Sequence, residues 1–350
     1  MVCHGPPARS GDAILIYDSY FTGHDVYNSW QGMYALFSSI SANAFLNHIM
    51  VYVMPGEGIE VGPPLTVEDA LKGRPAKVVE TARTREEPLR GFGATLPEAR
   101  TLVTYLALSG VSYAVASILP ELPEERIRLL KMTLPTLPIM PIDLFSRGTD
   151  MQWDKFKHTT PDSYIHNYPE ILDLKVSSVT GAYDVVGLTN WRSSPTNREL
   201  SFHGHLGLAA ATPYAVFDFW NQRELGVFTD AAQIQVEPHD TRVLLVHPLL
   251  GRPQFMGSSR HISGAYSILD LGWDSAQNSL SGSSQTVPGD NYSLWFHVPA
   301  DMNVSEAAAV TADDREVPVR IESTGQSLKV SLTGEQTPVR WKIRFRRRTP

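Results

Sequence analysis

The chain has 350 residues, of which 42% are hydrophobic, and its formal net charge at pH 7 is −7. It is therefore long enough to bury a sizeable core and, unless it is a barrel, too long for one ordinary compact domain. The acidic balance argues against a nucleic-acid-binding protein, and no stretch approaches the roughly 18 to 20 apolar residues of a membrane span. The only cysteine is Cys3 and the N-terminal residues lack an apolar signal-peptide core, so we expect a cytoplasmic protein.

The first predicted region, residues 1–147, alternates short β-rich runs with helical segments. Apolar residues recur near helical spacing over Ser29–Met50. Two later segments, Leu96–Ser109 and Pro123–Thr133, carry proline and acidic residues at their starts, which favours helix N-termini. We interpret the charged, irregular stretch at about 63–93 as an insertion, which is either a partner-binding lid or a plain surface loop.

The rest of the chain predicts two β-sandwich domains, at residues 148–250 and 251–350. Short apolar or alternating runs follow one another with turn residues between them, which is typical of antiparallel sandwiches. In the second of these domains the predicted strands are His261–Asp270, Ser279–Thr286, Tyr292–Val298, Val317–Ile321, Leu328–Leu332 and Val339–Phe345.

Three strand-like runs between residues 181 and 247 are bounded by a specific order of residues. The first run ends in Asn190-Trp191, the second ends in the aromatic segment Phe217–Trp220, and the third follows Pro238–Asp240. This order resembles the antiparallel domain that closes the chain of α-galactosidase-type, or melibiase-like, glycoside hydrolases.

The resemblance extends over most of the chain. Residues 98–110 and 119–126 look like the seventh and eighth units of the family's barrel, and residues 251–262 and 271–274 look like the C-terminal ends of relatives. It implies an α/β plus all-β fold, in which the C-terminal part of a (β/α)8 barrel is followed by two antiparallel β-sandwich domains.

The resemblance also implies the chemistry of a retaining glycosidase, with two carboxyl groups about 5 to 5.5 Å apart across the anomeric carbon. In the family the nucleophile lies on an earlier barrel strand, so we expect this chain to hold an incomplete or split catalytic domain. The family's acid/base belongs to an Arg-x-x-x-Asp element, whose nearest equivalent here is Arg9 and Asp12, one residue closer in spacing. Asp12 is therefore the candidate catalytic proton donor, and the alternative is an ordinary turn carboxylate beside Gly11.

Substrate contacts are implied in the same way. An Asn-Asp-Pro-Asp-like loop of the family corresponds to residues 53–62, where the proline is kept and the aspartates are not. Glu57 in this loop is a candidate for contact with a sugar hydroxyl at the rim of the barrel, or else a solvated loop carboxylate. Together with Arg9 and Trp30 it completes the predicted substrate-binding set.

Other motif residues have two interpretations. Asn190-Trp191 and Phe217–Trp220 form either a sugar-stacking platform or, as is commoner for aromatic residues, the packing of a sandwich core. His203 and His205 have the spacing of a metal clip, but no third ligand follows nearby in the sequence, so no metal is predicted. Because the usual nucleotide, serine-hydrolase and zincin motifs do not occur, no cofactor is predicted.

The sequence therefore predicts a glycoside hydrolase-like protein that acts on α-linked galactosides or related oligosaccharides. Its expected partners are an oligosaccharide or glycoside and either a second chain that completes the barrel or further copies of itself, because a half barrel exposes strand edges. No nucleic acid and no membrane are expected as partners. The alternative function is a non-catalytic carbohydrate-binding or assembly module, in which the β domains bind the ligand.

Overall fold

The computed structural model describes residues 19–21, 30, 52–54, 59, 61–64, 93–111, 114–137, 139, 142–144 and 170–348. The chain divides into two compact units. The first comprises Met1–Leu172 with the segments Thr189–Thr196 and Val236–Thr241, and the second comprises Asp173–Leu188, Asn197–Gln235 and Arg242–Pro350. The domain boundaries predicted at residues 147 and 250 stay predictions.

Parallel strand pairing is present in the first unit. Strand β1 (Ser19–Phe21) pairs in parallel with β2 (Tyr52–Met54), in a register that places Ser19 opposite Tyr52. A separate parallel bridge joins Ile59 to Val115. Parallel strands require a crossover connection, which is usually helical.

Two helices of the first unit begin and end where the sequence signals predict. Helix α1 (Leu96–Leu108) has a capping box at its N-terminus and is followed by Gly110, whose φ of 66° favours glycine. Helix α2 (Glu124–Thr133) follows a single 3₁₀ turn at Leu119–Glu121 and has two acidic residues in its first turn. Both predicted helices are confirmed to within one residue at each end.

The buried Arg126 of α2 connects the two helices. Its Nη1 donates to the carbonyl oxygens of Val61, at 3.1 Å, and Thr95, at 3.3 Å. Because Thr95 caps α1, this guanidinium ties α2 to the start of α1. Strand β3 (Ile142–Leu144) follows the helices in the chain.

The first part of the β region is built on one sheet with a small two-stranded sheet beside it. Strands β4, β5, β10, β7 and β8 are neighbours in that order, and β7 pairs antiparallel with both β10 and β8. Strands β6 and β9 form the smaller sheet. The strand bounds are β4 Ile171–Ser178, β5 Gly181–Thr189, β6 Thr196–Ser201, β7 Tyr214–Asp218, β8 Arg223–Phe228, β9 Ala231–Val236 and β10 Thr241–Pro248.

The second part of the β region is an antiparallel sandwich. Strands β11, β14, β18 and β17 form one sheet in that order, and β12, β13, β19, β15 and β16 form the other. The sheets contact each other through Phe296 and Trp341, whose ring centroids lie 5.5 Å apart. The bounds are β11 Gln254–Ser258, β12 Ile268–Asp274, β13 Ser279–Ser284, β14 Asn291–His297, β15 Met302–Val310, β16 Glu316–Val317, β17 Arg320–Thr324, β18 Ser327–Thr333 and β19 Val339–Arg347.

Burial follows the sequence pattern of each strand. The strictly alternating β18 and β19 bury one face, whereas β7, which is apolar up to its last residue Asp218, is buried on both faces. A fold dominated by β-sheet is therefore confirmed. Within the described residues, no helix combines the length and the hydropathy needed to cross a bilayer.

Three strand predictions were wrong in detail. The predicted strand Val317–Ile321 is divided between β16 and β17, because residues 318 and 319 belong to neither strand. The predicted strand His261–Asp270 starts only at Ile268, because residues 261–267 form turns that include Gly264 at a φ of 81°. Strand β15 was not predicted, since its three consecutive alanines have low β-propensity. Antiparallel pairing of β15 with β19 overrides that local preference.

Candidate functional site

The candidate site is built in the first unit around the N-terminus of α1. The Thr95 side chain accepts a hydrogen bond from the Glu98 N–H at 3.4 Å, and Glu98 Oε2 accepts one from the Thr95 N–H at 2.8 Å. This reciprocal capping box fixes the rotamer of Glu98. The second carboxylate oxygen of Glu98, Oε1, accepts a hydrogen bond from His239 Nδ1 at 2.9 Å.

His239 lies in the turn that precedes β10. Its backbone φ of 59° is in the left-handed region, which residues other than glycine seldom adopt. The conformation is held from outside the turn, because the hydroxyl of Thr101 donates to the His239 carbonyl oxygen at 2.8 Å. The neighbouring Asp240 forms an ion pair with Arg100 at 3.1 Å, so two consecutive turn residues contact α1.

Asn190 joins this turn to the loop that follows β5. It is fully buried, and its Nδ2 donates to the carbonyl oxygens of Val236 and Glu237, each at 3.1 Å. Its own N–H donates to the Asp240 carbonyl oxygen at 2.9 Å, and its Oδ1 accepts from the N–H of Arg192 at 3.0 Å. The loop at 190–194 and the turn at 237–240 are therefore fixed relative to each other by one side chain.

A chain of aromatic rings begins at the imidazole. Trp30 is half-buried and stacks on His239, with ring centroids 4.4 Å apart, and it lies tilted against Trp191 at 5.6 Å. Trp191 is 1% exposed and meets the edge of Tyr105 of α1. Trp191 is therefore a core residue, and Trp30 lies over the imidazole at the rim of this core.

The electrostatics favour an ionised Glu98. Partial burial by itself raises the pKa of this carboxyl, but the hydrogen bonds from His239 and Thr95 outweigh it, and the pKa lies below its usual value. An ionised carboxylate only accepts hydrogen bonds, so His239 must donate from Nδ1, and Nε2 is the acceptor nitrogen of the neutral ring. The site thus offers an imidazole whose orientation is fixed, and histidine acts as a general base through its unprotonated ring nitrogen.

Three of the predicted site residues, Arg9, Asp12 and Glu57, lie outside the described residues. Trp30 is described, and the structure brings it together with His239 and Trp191 rather than leaving it isolated. The catalytic and substrate-binding roles of these four residues stay predictions.

The structure also places other motif residues for which the sequence left two interpretations. Phe217 and Phe219 are 0% and 1% exposed, so core packing accounts for them. His203 and His205 lie in a turn, where each ring nitrogen Nδ1 is bonded to backbone, at Leu208 and Ser201 respectively. Among the described residues, no group of three or more His, Cys, Asp or Glu side chains is arranged to hold a metal ion.

A groove lies on the antiparallel sandwich that forms the second part of the β region. It has a volume of about 720 Å³ and runs over the face of the sheet formed by β12, β13, β19 and β15. Both small and polar side chains contribute to its lining, and the polar ones could bond to ligand hydroxyls. The lining includes Asp270, Ser281, Ser283, Ala308, Arg340 and Lys342.

Comparison with known proteins identifies the first part of the β region. Residues 176–246 match the family model described as the alpha galactosidase C-terminal beta sandwich domain. The predicted resemblance to the C-terminal part of melibiase-like glycoside hydrolases is thereby confirmed for this segment. None of the curated proteins is a significant match to the sequence.

The solved structures that match this chain include several glycoside hydrolases. A beta-L-arabinopyranosidase from Geobacillus stearothermophilus is 13% identical with a TM-score of 0.39, and the match covers 65% of this chain and 44% of that one. Alpha-galactosidase I from Mortierella vinacea is 12% identical with a TM-score of 0.38, covering 66% and 51%. An alpha-galactosidase from Saccharomyces cerevisiae is 9% identical with a TM-score of 0.33, covering 64% and 70%. This chain therefore spans less than half the length of the arabinopyranosidase.

From the sequence, His239 is only a member of the segment Pro238–Asp240 before a strand, and Glu98 has no role beyond the start of a helix. The two residues are 141 positions apart, so no local motif joins them. A usable signal was the capping pattern itself, because Thr95 and Glu98 fix a carboxylate at a known position on the first turn of α1.

Proposed function

We propose that this chain is the C-terminal part of a glycoside hydrolase that acts on α-linked galactosides or related oligosaccharides by a retaining mechanism. The chain would supply the last units of the (β/α)8 barrel and the β domains behind them. A further polypeptide segment or a second chain would supply the early barrel strands with the nucleophile.

The match of residues 176–246 to the α-galactosidase C-terminal domain carries this proposal. The parallel pair β1–β2 and the parallel bridge between Ile59 and Val115 support the barrel part, because parallel strands alternating with helices are what a (β/α)8 barrel requires.

The proposed reaction is a double displacement. The nucleophilic carboxylate attacks the anomeric carbon while Asp12 protonates the departing glycosidic oxygen. Asp12 then removes a proton from the water that releases the sugar from the nucleophile. Arg9 orients Asp12, and Glu57 and Trp30 contact the sugar.

The test is hydrolysis of an aryl α-galactoside by the purified chain, alone and mixed with a polypeptide that carries the early barrel strands. We expect turnover in the mixture, and Asp12→Asn to abolish it without changing the thermal unfolding midpoint. Glu121→Gln is the matched control, because Glu121 is an exposed carboxylate of the same unit. Unchanged kinetics in Asp12→Asn would remove Asp12 from the mechanism.

The groove on the antiparallel sandwich favours a second candidate function, which is a carbohydrate-binding module without catalysis. Ser281 and Ser283 supply hydroxyls, and Arg340 and Lys342 supply N–H donors, along one face of the sheet. Retained oligosaccharide binding by calorimetry, with no turnover in either preparation, would favour this candidate over the split enzyme. Loss of that binding in Ser281→Trp, which fills the groove, would locate the ligand there.

A further inference from the structure

Ser193 extends the Glu98–His239 pair on its far side. The Ser193 Oγ lies 3.3 Å from His239 Nε2, and His239 Nδ1 lies 2.9 Å from Glu98 Oε1. The three side chains therefore stand in line as hydroxyl, imidazole and carboxylate. This is the arrangement by which a serine is activated as a nucleophile.

The direction of each hydrogen bond follows from the carboxylate. Since ionised Glu98 can only accept, the His239 Nδ1–H donates to it, and in the corresponding neutral tautomer Nε2 accepts from the Ser193 hydroxyl. A distance of 3.3 Å is long for a hydrogen bond between oxygen and nitrogen, and it is within the range that such pairs show before substrate binds.

The two segments that carry Ser193 and His239 are held in mutual register. Buried Asn190 bonds to the backbone on both sides, Thr101 holds the His239 carbonyl, and the Trp30 ring fixes the plane of the imidazole. The left-handed backbone at His239 is the kind of local strain that persists only when the surroundings determine it, and such residues concentrate at functional sites.

The hydroxyl is accessible. Ser193 is exposed, whereas Glu98 and His239 are half-buried behind it with side chains 13% and 22% exposed. A substrate can reach the nucleophile directly, and the base and the carboxylate are partly shielded from water.

We propose that Ser193, His239 and Glu98 form a nucleophile, base and orienting carboxylate that hydrolyse small carboxylic esters. Ser193 Oγ attacks the ester carbonyl carbon as its proton passes to His239 Nε2. The ester C–O bond then breaks, and the leaving alcohol takes that proton. Water attacks the acyl-serine with transfer of its proton to His239, the acyl C–Oγ bond breaks, and Ser193 regains the proton as the carboxylic acid leaves. No redox partner is needed, and the proposal does not depend on the glycosidase assignment.

The test uses the full chain with p-nitrophenyl acetate as substrate. We expect turnover above the buffer rate, and a decrease of about 10²-fold or more in kcat/KM for Ser193→Ala, since a positioned base and nucleophile contribute at least that factor. Ser194→Ala is the matched control, being the next serine on the same exposed loop, and should retain the wild-type rate. Thermal unfolding of each variant checks that the fold is kept.

A fluorophosphonate probe supplies the second measurement. Trypsin cleavage after Arg192 and Arg198 isolates residues 193–198, and we expect the phosphonyl group on Ser193 of this peptide by mass spectrometry. Equal turnover in wild type and Ser193→Ala would overturn the proposal, as would an adduct that is confined to other peptides.

Discussion

The molecule contains two pairs of histidine and glutamate with the same connectivity and very different surroundings. In the first unit His239 Nδ1 lies 2.9 Å from Glu98, with side chains 22% and 13% exposed. In the second unit His297 Nδ1 lies 2.5 Å from Glu224, with side chains 2% and 6% exposed. The first pair continues to the exposed hydroxyl of Ser193, and the second is enclosed by the packed β-sheets.

This difference shows that the pair alone does not define a site. A buried pair exchanges hydration for mutual attraction and serves to fix the packing around it. A pair at the rim of a core keeps one ring nitrogen available to a group that substrate can reach. Access, rather than the identity of the two residues, separates the structural pair from the candidate catalytic one.

The largest expected effect is on stability at the enclosed pair. We expect His297→Ala to lower the free energy of unfolding by about 3 to 5 kcal/mol, because removal of one partner leaves the other polar group buried alone. His239→Asn, which tolerates a positive φ, should cost about 1 kcal/mol or less, since a partly exposed pair contributes little. Guanidinium unfolding curves of the two variants measure both values, and equal losses would contradict the distinction.

A second buried cluster predicts a dependence of stability on pH. Lys175 Nζ lies 2.8 Å from Asp173 and 2.5 Å from Asp184, and Asp173 Oδ1 has no hydrogen-bond partner among the described residues. Burial, together with the nearby Asp184 and despite Lys175, raises the pKa of Asp173 to about 6, above its value of about 4 in an unfolded chain. The folded state therefore binds this proton more tightly.

The contribution of the protonated Asp173 carboxyl to stability is thus fully present below about pH 4 and is lost as the pH rises through about 6. At about 1.4 kcal/mol per pKa unit, the loss amounts to about 3 kcal/mol. Unfolding midpoints at pH 5 and pH 8 should differ less in Asp173→Asn than in the wild type. An identical pH dependence in the two proteins would show that Asp173 does not titrate in this range.

The smallest effect concerns two glycines of the sheet that bears the groove. A Cβ at Gly282 would lie 2.6 Å from the Trp341 ring and 2.5 Å from the Asp270 carbonyl oxygen, whereas one at Gly272 would meet nothing within 4 Å. We expect Gly282→Ala to cost about 1 to 3 kcal/mol by overpacking. Gly272→Ala should stay within about 0.5 kcal/mol of the wild type. Similar thermal midpoints for the two variants would show that the Trp341 ring moves to make room for the added methyl group.

The sequence predicted those parts of the fold that depend on local signals. Helix α1 is specified by its capping residues and Gly110, and strand β19 by its alternating apolar positions. Strand β15 was missed because its pairing with β19 prevails over a run of alanines. The alignment of Glu98, Ser193 and His239 could not be predicted, because it depends on two loops that a buried asparagine, Asn190, holds together.

The central claim, that access turns one His–Glu pair into a reactive site, is tested most directly by exchanging the carboxylate in each pair. Glutamine at position 98 preserves side-chain size, but its single oxygen can occupy only one of the two positions at which Oε2 accepts from the Thr95 N–H and Oε1 from the His239 Nδ1–H. We predict that Glu98→Gln lowers kcat/KM for p-nitrophenyl acetate by about 10²-fold or more, and that Glu224→Gln leaves it unchanged in the folded protein. An equal response of the ester hydrolysis rate to both substitutions would contradict the account.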